Sequence, residues 1–266
     1  MHTWHWQTWE ELPYLTCSLL EPWNHGFFTQ QFWPRYPVEL TCVLEPEASV
    51  YRLKQVHGNA VLTAKEITLK LTEGGDDVEG DGDSTLVLGD GLISDGAKQA
   101  VWVAAADCTP VLIADVKTGQ VGAVHAGWRG TSLKIVPQAI AKMQKLGSKL
   151  EDLLIAMGPA IAGEVYQVSE QVAAEVGSTI VPYNYDEKVM VESMLALPNS
   201  PVLEDPNSGR VRLDVRRVNA LQMEKLGISG EQIAIAPYCT YQTPEYFFSY
   251  RREKQKKVQW SGIVSR

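Results

Sequence analysis

Three short segments each offer one soft metal ligand beside a glycine or proline: His57 in VYRLKQVHGNAV, Cys108 in AVWVAAADCTPVLIAD and His125 in VGAVHAGWRGT. Two imidazoles and one thiolate suit Zn²⁺. Three protein ligands leave the fourth tetrahedral position for water or substrate, which is the arrangement of a catalytic zinc rather than a structural one. Taken singly, each residue has a plainer account. An unpaired cysteine is usually packed in a core, a histidine closing an apolar strand is often bonded only to backbone, and His57 could be an ordinary loop histidine. Context argues against those accounts for two of the three. Asp107 before Cys108, with Thr109 and Pro110 after it, ends the strand in a polar turn and brings the sulfur to a strand terminus. After His125, two glycines flank Trp128 and Arg129 just ahead of a helix start. Backbone can there approach a ligand closely, and the guanidinium and helix N–H groups can face a phosphate or carboxylate. Arg129 could equally pair with a structural carboxylate.

A second chemistry draws on the same residues. Cys108 could act as a nucleophile with one histidine as base, oriented by Asp107 or by the other histidine. A multicopper oxidase would need far more imidazoles than the five present, His2, His5, His25, His57 and His125.

The elements that must carry these residues follow from periodicity. AVWVAAAD, VLIAD and the run ending at His125 read as buried strands separated by a Cys-Thr-Pro turn and a Thr-Gly turn. TSLKIVPQAIAKMQKL places Leu133, Val136, Ile140 and Met143 on one helical face, with Thr131 or Ser132 as cap and a kink at Pro137. DLLIAMGPAI and EQIAIAPYCT predict further strands, and YFFSYRRE closes the pattern. SEQVAAEVG predicts a helix from cap Ser169 to Gly177, and DVRRVNALQMEKLG one from cap Asp214 to Gly227. Trp4, Trp6 and Trp9 suit an edge strand over the core. Residues 178–210 read as irregular. The acidic stretch 72–84, TEGGDDVEGDGDS, reads as a solvated loop without the spacing of a calcium loop.

At 266 residues the chain can bury about 70 to 75% of its unfolded surface without a disulfide or metal staple. With no repeat and no long linker, residues 1–266 read as one α/β domain. A formal net charge of −8 repels polyanions, which excludes a nucleic acid polymer as partner, whereas a few local arginines could still hold a phosphate or a nucleoside. The cysteines Cys17, Cys42, Cys108 and Cys239 are scattered, as suits a reducing compartment. MHTWHWQTWEELP lacks a basic, then apolar, leader, and no run approaches the ~18 apolar residues of a membrane span. A cytoplasmic protein with no membrane partner is the expectation.

The chain resembles the laccase-domain family, long labelled polyphenol oxidases and similar to bacterial purine nucleoside phosphorylase and adenosine deaminase proteins. The resemblance runs through KQVHG at 54–58, DGLIS at 90–94, ADCTP at 106–110, HAGWRGT at 125–131, GPAI at 158–161, YQV at 166–168, CT at 239–240 and FFSYRR at 247–252. It implies an α/β/β/α sandwich with mixed sheets and a zinc held by His57, Cys108 and His125, copper being the less favoured metal. It implies phosphorolysis of adenosine, inosine, guanosine or methylthioadenosine, and deamination of adenosine. Some members carry peptidoglycan-precursor amidase or copper-dependent phenol oxidation activity instead. Within this scheme Arg129 is the candidate for holding phosphate, Asp107 for accepting a proton or orienting a neighbour, and Arg251 and Arg252 are either further cations or, equally, a solvated charge pair beside Phe247 and Phe248. The chain departs from the family pattern in two places. Gln30, Gln31, Phe32 and Trp33 stand where an arginine and a glycine-rich turn are usual, with Arg35 as a replacement cation, and the ending VQWSGIVSR lacks the usual threonine-glycine-arginine. A non-catalytic zinc protein would close the fourth position with Cys239 or Asp107.

Overall fold

Alternation along the strand Gln99–Ala105 sends Val101 and Val103 into one buried cluster and Ala100 and Trp102 into another. This two-sided burial recurs in Thr109–Asp115, where Leu112 and Ala114 join the first cluster while Val111 and Ile113 join a third. A strand apolar on both faces must be covered on both faces. Four layers follow from that requirement.

The computed structural model describes residues 2–81 and 84–266. In chain order the elements open with β1 Trp4–Trp9, β2 Leu12–Cys17, β3 His25–Phe28, α1 Pro37–Leu44, β4 Ser49–Arg52, β5 Val61–Thr63 and α2 Ala64–Glu73. The middle of the chain supplies β6 Val78–Asp81, β7 Ser84–Val87, β8 Gly91–Ile93, β9 Gln99–Ala105, β10 Thr109–Asp115, β11 Val121–Ala126, α3 Trp128–Ser132, α4 Ile135–Lys145 and β12 Leu153–Met157. The remainder supplies β13 Gln167–Ser169, α5 Glu170–Gly177, α6 Glu187–Leu195, β14 Val202–Glu204, β15 Arg210–Leu213, α7 Val215–Leu226, β16 Ile233–Ile235, α8 Tyr250–Glu253 and β17 Gln259–Val264.

One six-stranded sheet has the order β1-β2-β3-β17-β9-β4 and the other β16-β12-β10-β11-β8-β5. Both are mixed: β4 runs parallel to β9, β16 to β12 and β5 to β8, and the remaining pairs are antiparallel. Phe27, Val101, Val103, Leu112, Ala123 and Ile263 fill the space between the sheets. Leu40 and Leu44 of α1 cover Phe28, Trp102 and Trp260 on the outer face of the first sheet. Ile135, Val136, Ile140 and Met143 of α4, with Met223 of α7, cover the outer face of the second. The molecule is a single α/β domain of α/β/β/α type. A side lobe of β13, β14, β15, α5 and α6 carries its own apolar cluster, against which Trp128 and Tyr166 pack.

Several local expectations hold. β1 is an edge strand, and Trp6 Nε1 donates to the Tyr238 hydroxyl at 2.9 Å. Ser169 Oγ accepts from Val172 N, Asp214 accepts from the N–H groups of Arg216 and Arg217, and Gly227 ends α7 at φ +99°. Others are corrected. The helix after HAGWRGT is broken in two, because Lys134 adopts φ +58° between α3 and α4. Thr131 and Ser132 lie inside α3 rather than capping, Leu133 is exposed, and Pro137 sits in the first turn of α4, where its missing N–H costs nothing. Residues 178–210 contain α6 and β14, whose Met190, Val191, Met194 and Val202 fill the lobe core. The acidic stretch forms part of the β6–β7 hairpin, with Gly82 and Asp83 outside the described residues.

Candidate metal centre

The chain crosses from the first sheet to the second between β4 and β5 and again between β9 and β10, and each crossing carries one candidate ligand. Cys108 lies in the three-residue link ahead of β10. His57 lies in the longer link, and Gln55 ties that link to β9 by accepting from Ala104 N at 2.7 Å and donating to Ala104 O at 2.8 Å. His125 stands near the end of β11 in register with Pro110. The ligand atoms of His57, Cys108 and His125 all lie within 4.8 Å of one another. Gly127 makes this approach possible, because a Cβ there would fall 2.7 Å from Cys108 Sγ.

Asp90, fully buried just before β8, organises the ligands. Its carboxylate accepts from the backbone N–H of Val56 at 3.1 Å, His57 at 3.0 Å and Gly58 at 2.8 Å, and Oδ1 lies 2.8 Å from His125 Nδ1. A proton on Nδ1 leaves Nε2 of His125 free to bind a metal. The Asp90 carbonyl also accepts from His125 N at 2.8 Å. One residue thus fixes a loop ligand and a strand ligand together. Sequence reasoning did not name it as a site residue, although DGLIS offered an aspartate directly ahead of an apolar strand, where only a buried set of donors would retain it.

Burial pushes the Cys108 thiol up, but the adjacent His125 and His57 outweigh this and bring it down to about 6. Burial works against the charged form of His125 too, yet Cys108 and Asp90 raise it to about 10. Both shifts favour a thiolate beside a protonated His125 in the metal-free site, and a metal bound at Nε2 would displace that nitrogen's proton while Nδ1–H stays on Asp90.

Asp107 holds a left-handed φ of +93° and His57 one of +59°, conformations that cost about 1 to 3 kcal/mol each for residues with a side chain. Asp107 is held by its contacts. Its carboxylate accepts from Thr240 Oγ1 and from Arg251 N, each at 2.7 Å, while its carbonyl accepts from Ile161 N at 2.9 Å. Both Asp107 oxygens are thus engaged. Cys239 Sγ accepts from Ala162 N at 3.2 Å. Among the described residues no fourth His, Cys, Asp or Glu joins the cluster, so neither Asp107 nor Cys239 closes it.

Arg129 is exposed and stacks on Trp128, with its guanidinium carbon 4.6 Å from the ring centre. It makes no ion pair with a carboxylate among the described residues. Arg252 is spent on structure, donating to the carbonyls of Thr240, Tyr241 and Phe247. Arg35 does not replace the missing rim cation, because it is bound to Glu10 at 2.7 Å and lies over Trp9. Gln30 donates to Pro244 O, so it serves as a loop tie.

Residues 38–265 match the family described as multi-copper polyphenol oxidoreductase laccase. The chain belongs to that family. It is 51% identical over 264 residues to a purine nucleoside phosphorylase of Synechocystis sp., covering 98% of this chain and 97% of the relative. It is 33% identical over 221 residues to a purine nucleoside phosphorylase of Corynebacterium glutamicum, covering 82% and 76%. The crystal structure of YlmD from Geobacillus stearothermophilus shares the fold, with a TM-score of 0.79 at 23% identity and 98% of each chain covered.

The family corrects the expectation of zinc. Its description is of copper proteins, and two imidazoles with one thiolate form the donor set of copper sites. Ligand type alone could not separate zinc from copper, because the same three donors serve both ions, and a given nitrogen and sulfur site binds Cu²⁺ more tightly than Zn²⁺. The triad fits one such ion. Family and triad together support a metal-associated enzyme. No helix among the described residues is long and apolar enough to cross a membrane.

Proposed function

We propose that this protein is a purine nucleoside-processing enzyme whose reaction centre is the His57, Cys108 and His125 triad loaded with a copper-type ion. The observation that carries the reading is 51% identity, along nearly the whole of both chains, to a protein named as a purine nucleoside phosphorylase. In phosphorolysis an oxygen of inorganic phosphate attacks C1′ of the sugar and the C1′–N9 bond breaks. Its electron pair passes to the purine, which takes up a proton, and pentose 1-phosphate leaves. Deamination of adenosine is the companion activity, with water as the second reactant.

The chain's own residues supply binding and order. Arg129 is the cation for the incoming phosphate, its charge uncompensated by a carboxylate and its plane fixed by Trp128. Asp107 acts as a positioning residue, since both its oxygens already hold the turn that presents Cys108. Asp90 orients the His125 imidazole through Nδ1 and holds the backbone of the loop that carries His57. A copper-type ion held by the triad would supply Lewis-acid polarisation of a substrate oxygen or nitrogen, and one-electron exchange with a phenol.

That last property supports a second reading, oxidation of phenols with dioxygen as acceptor, which the family description and the donor set favour. The test incubates metal-analysed protein with adenosine, inosine and methylthioadenosine, with and without phosphate, beside an oxygen-uptake assay on phenols. Pentose 1-phosphate formed only with phosphate supports the first reading. Oxygen uptake on phenols without nucleoside turnover replaces it with the second.

A further inference from the structure

Arginines in this acidic chain are commonly neutralised by a carboxylate: Arg35 by Glu10, Arg212 by Asp205, Arg216 by Asp214, Arg217 by Glu224 and Arg252 by Glu253. Arg129 and Arg251 have no such partner among the described residues, and both stand beside the metal centre. Arg251 is fixed there by its backbone N–H on Asp107 and by Nη1 donating to Gln167 O at 2.9 Å, which leaves Nε and Nη2 free. Its guanidinium carbon lies 4.8 Å from the ring centre of Tyr166. The Tyr166 backbone is anchored on both sides, its N–H on Gly163 O and its carbonyl accepting from Leu213 N, yet its hydroxyl has no hydrogen-bond partner among the described residues. A half-buried phenol whose hydroxyl bonds no described protein group, stacked on a guanidinium with two open N–H positions, has its O–H available to a ligand.

We infer that Tyr166, Arg251 and Arg129 form a seat for a tetrahedral oxyanion, in which the Tyr166 hydroxyl donates to the anion and Arg251 holds the ring in place. The donors come from three separate stretches of chain, α3, α8 and the turn before β13. A planar carboxylate is satisfied by a single guanidinium fork, whereas two guanidinium groups and a hydroxyl from separate stretches of chain suit an anion whose oxygens diverge. Burial, and after it the nearby Cys108 thiolate, push the phenol up to about 12, with Asp107 adding to the rise and Arg251 and Arg129 opposing it. The hydroxyl therefore remains a donor at neutral pH. The inference rests on the phosphorolysis reading only in naming inorganic phosphate as the physiological anion.

The test is calorimetric titration of the full-length protein with inorganic phosphate, then with sulfate, for wild type, Tyr166→Phe and Arg251→Lys. Tyr166→Phe removes one oxygen that bonds nothing, so folding and metal content should be unchanged, and phosphate affinity should fall about tenfold, as for loss of one hydrogen bond to a charged group. In turnover, KM for phosphate should rise while KM for the nucleoside holds. Arg251→Lys, which keeps the charge but loses the planar face, should also weaken phosphate. Sulfate competing with phosphate, and weakened in the same variants, supports a seat for tetrahedral oxyanions. Phosphate affinity within twofold of wild type in Tyr166→Phe overturns the seat. Weakened phosphate binding in a protein that never cleaves nucleosides would leave the seat standing and remove the phosphorolysis reading. Phosphate-dependent cleavage untouched by Tyr166→Phe would do the reverse.

Discussion

Asp90 and Asp205 gather donors in similar fashion in two different regions. Asp90, fully buried beside the sheets, accepts from three consecutive backbone N–H groups and lies against His125. Asp205, in the side lobe, accepts from Asn207 N and Nδ2, from Gln167 Nε2 and from Arg212 Nε. Both carboxyls are held below the usual carboxylate range. Burial raises Asp90 but His125 and the N–H groups of Gly58 and Val56 outweigh it, while Asp205 is brought to about 2 chiefly by the Asn207 N–H. The partners make the difference. Asp90 fixes two candidate metal ligands, whereas Asp205 fixes a strand that begins one residue after Tyr166. One aspartate should therefore govern metal retention, and the other the order of the substrate side.

The largest effect should come from Cys108→Ala, which removes the only sulfur of the triad. Bound metal measured by elemental analysis should fall below about a tenth of the wild-type content, and turnover should be lost with it. Retention of both would remove the site from which the comparison starts. Asp90→Asn should come next. An amide cannot accept at every position the carboxylate serves, so metal affinity should fall about 10- to 100-fold and the fold should lose about 1 to 3 kcal/mol, as read by chelator competition and urea unfolding. Asp205→Asn should leave chelator competition unchanged. If the two variants weaken metal equally, the division of labour between the aspartates is wrong.

Within the Asp90 cluster the two imidazoles should also separate. His125 is buried, in strand register and bound to Asp90 through both side chain and backbone, whereas His57 is exposed and tied to Asp90 through its backbone alone. His125→Ala should cost more metal affinity than His57→Ala, and added imidazole should restore binding better at the exposed position. Equal losses with no difference in rescue would mean that the ordering by Asp90 is immaterial.

The readable parts of this molecule are those where one local rule decides the outcome. Asp214 and Gly227 bound α7 as capping chemistry requires, and two-sided apolar runs announced β9, β10 and β11. The three candidate ligands stood out because each is a soft donor beside turn residues. What escaped depends on distant partners. Asp90 is 33 residues from His57 and 35 from His125, so only the folded sheet order reveals its role. The break at Lys134 puts a non-glycine residue in the left-handed region, which no propensity argument selects. The preference for zinc over copper failed for another reason: a donor set read from residue types does not distinguish two metals that accept the same atoms.

The smallest expected effect concerns pH. The folded Asp205 titrates near 2 against an ordinary value of 3.8, so its contribution to the folded state is complete above about 4 and disappears as pH falls through its folded value. Over that interval the ties to Gln167, Arg212 and Asn207 weaken, and β13 and β15 should gain amide hydrogen exchange relative to β10 and β11. Asp205→Asn lacks the titrating proton, so its β13 exchange should already be raised at neutral pH and should lose this pH dependence. Gln167 adjoins Tyr166 and its carbonyl accepts from Arg251. Loosening there should weaken phosphate binding before it weakens metal retention, an order visible by titrating phosphate into Asp205→Asn at neutral pH. Metal loss preceding phosphate loss would show that the lobe and the triad share one support instead of two.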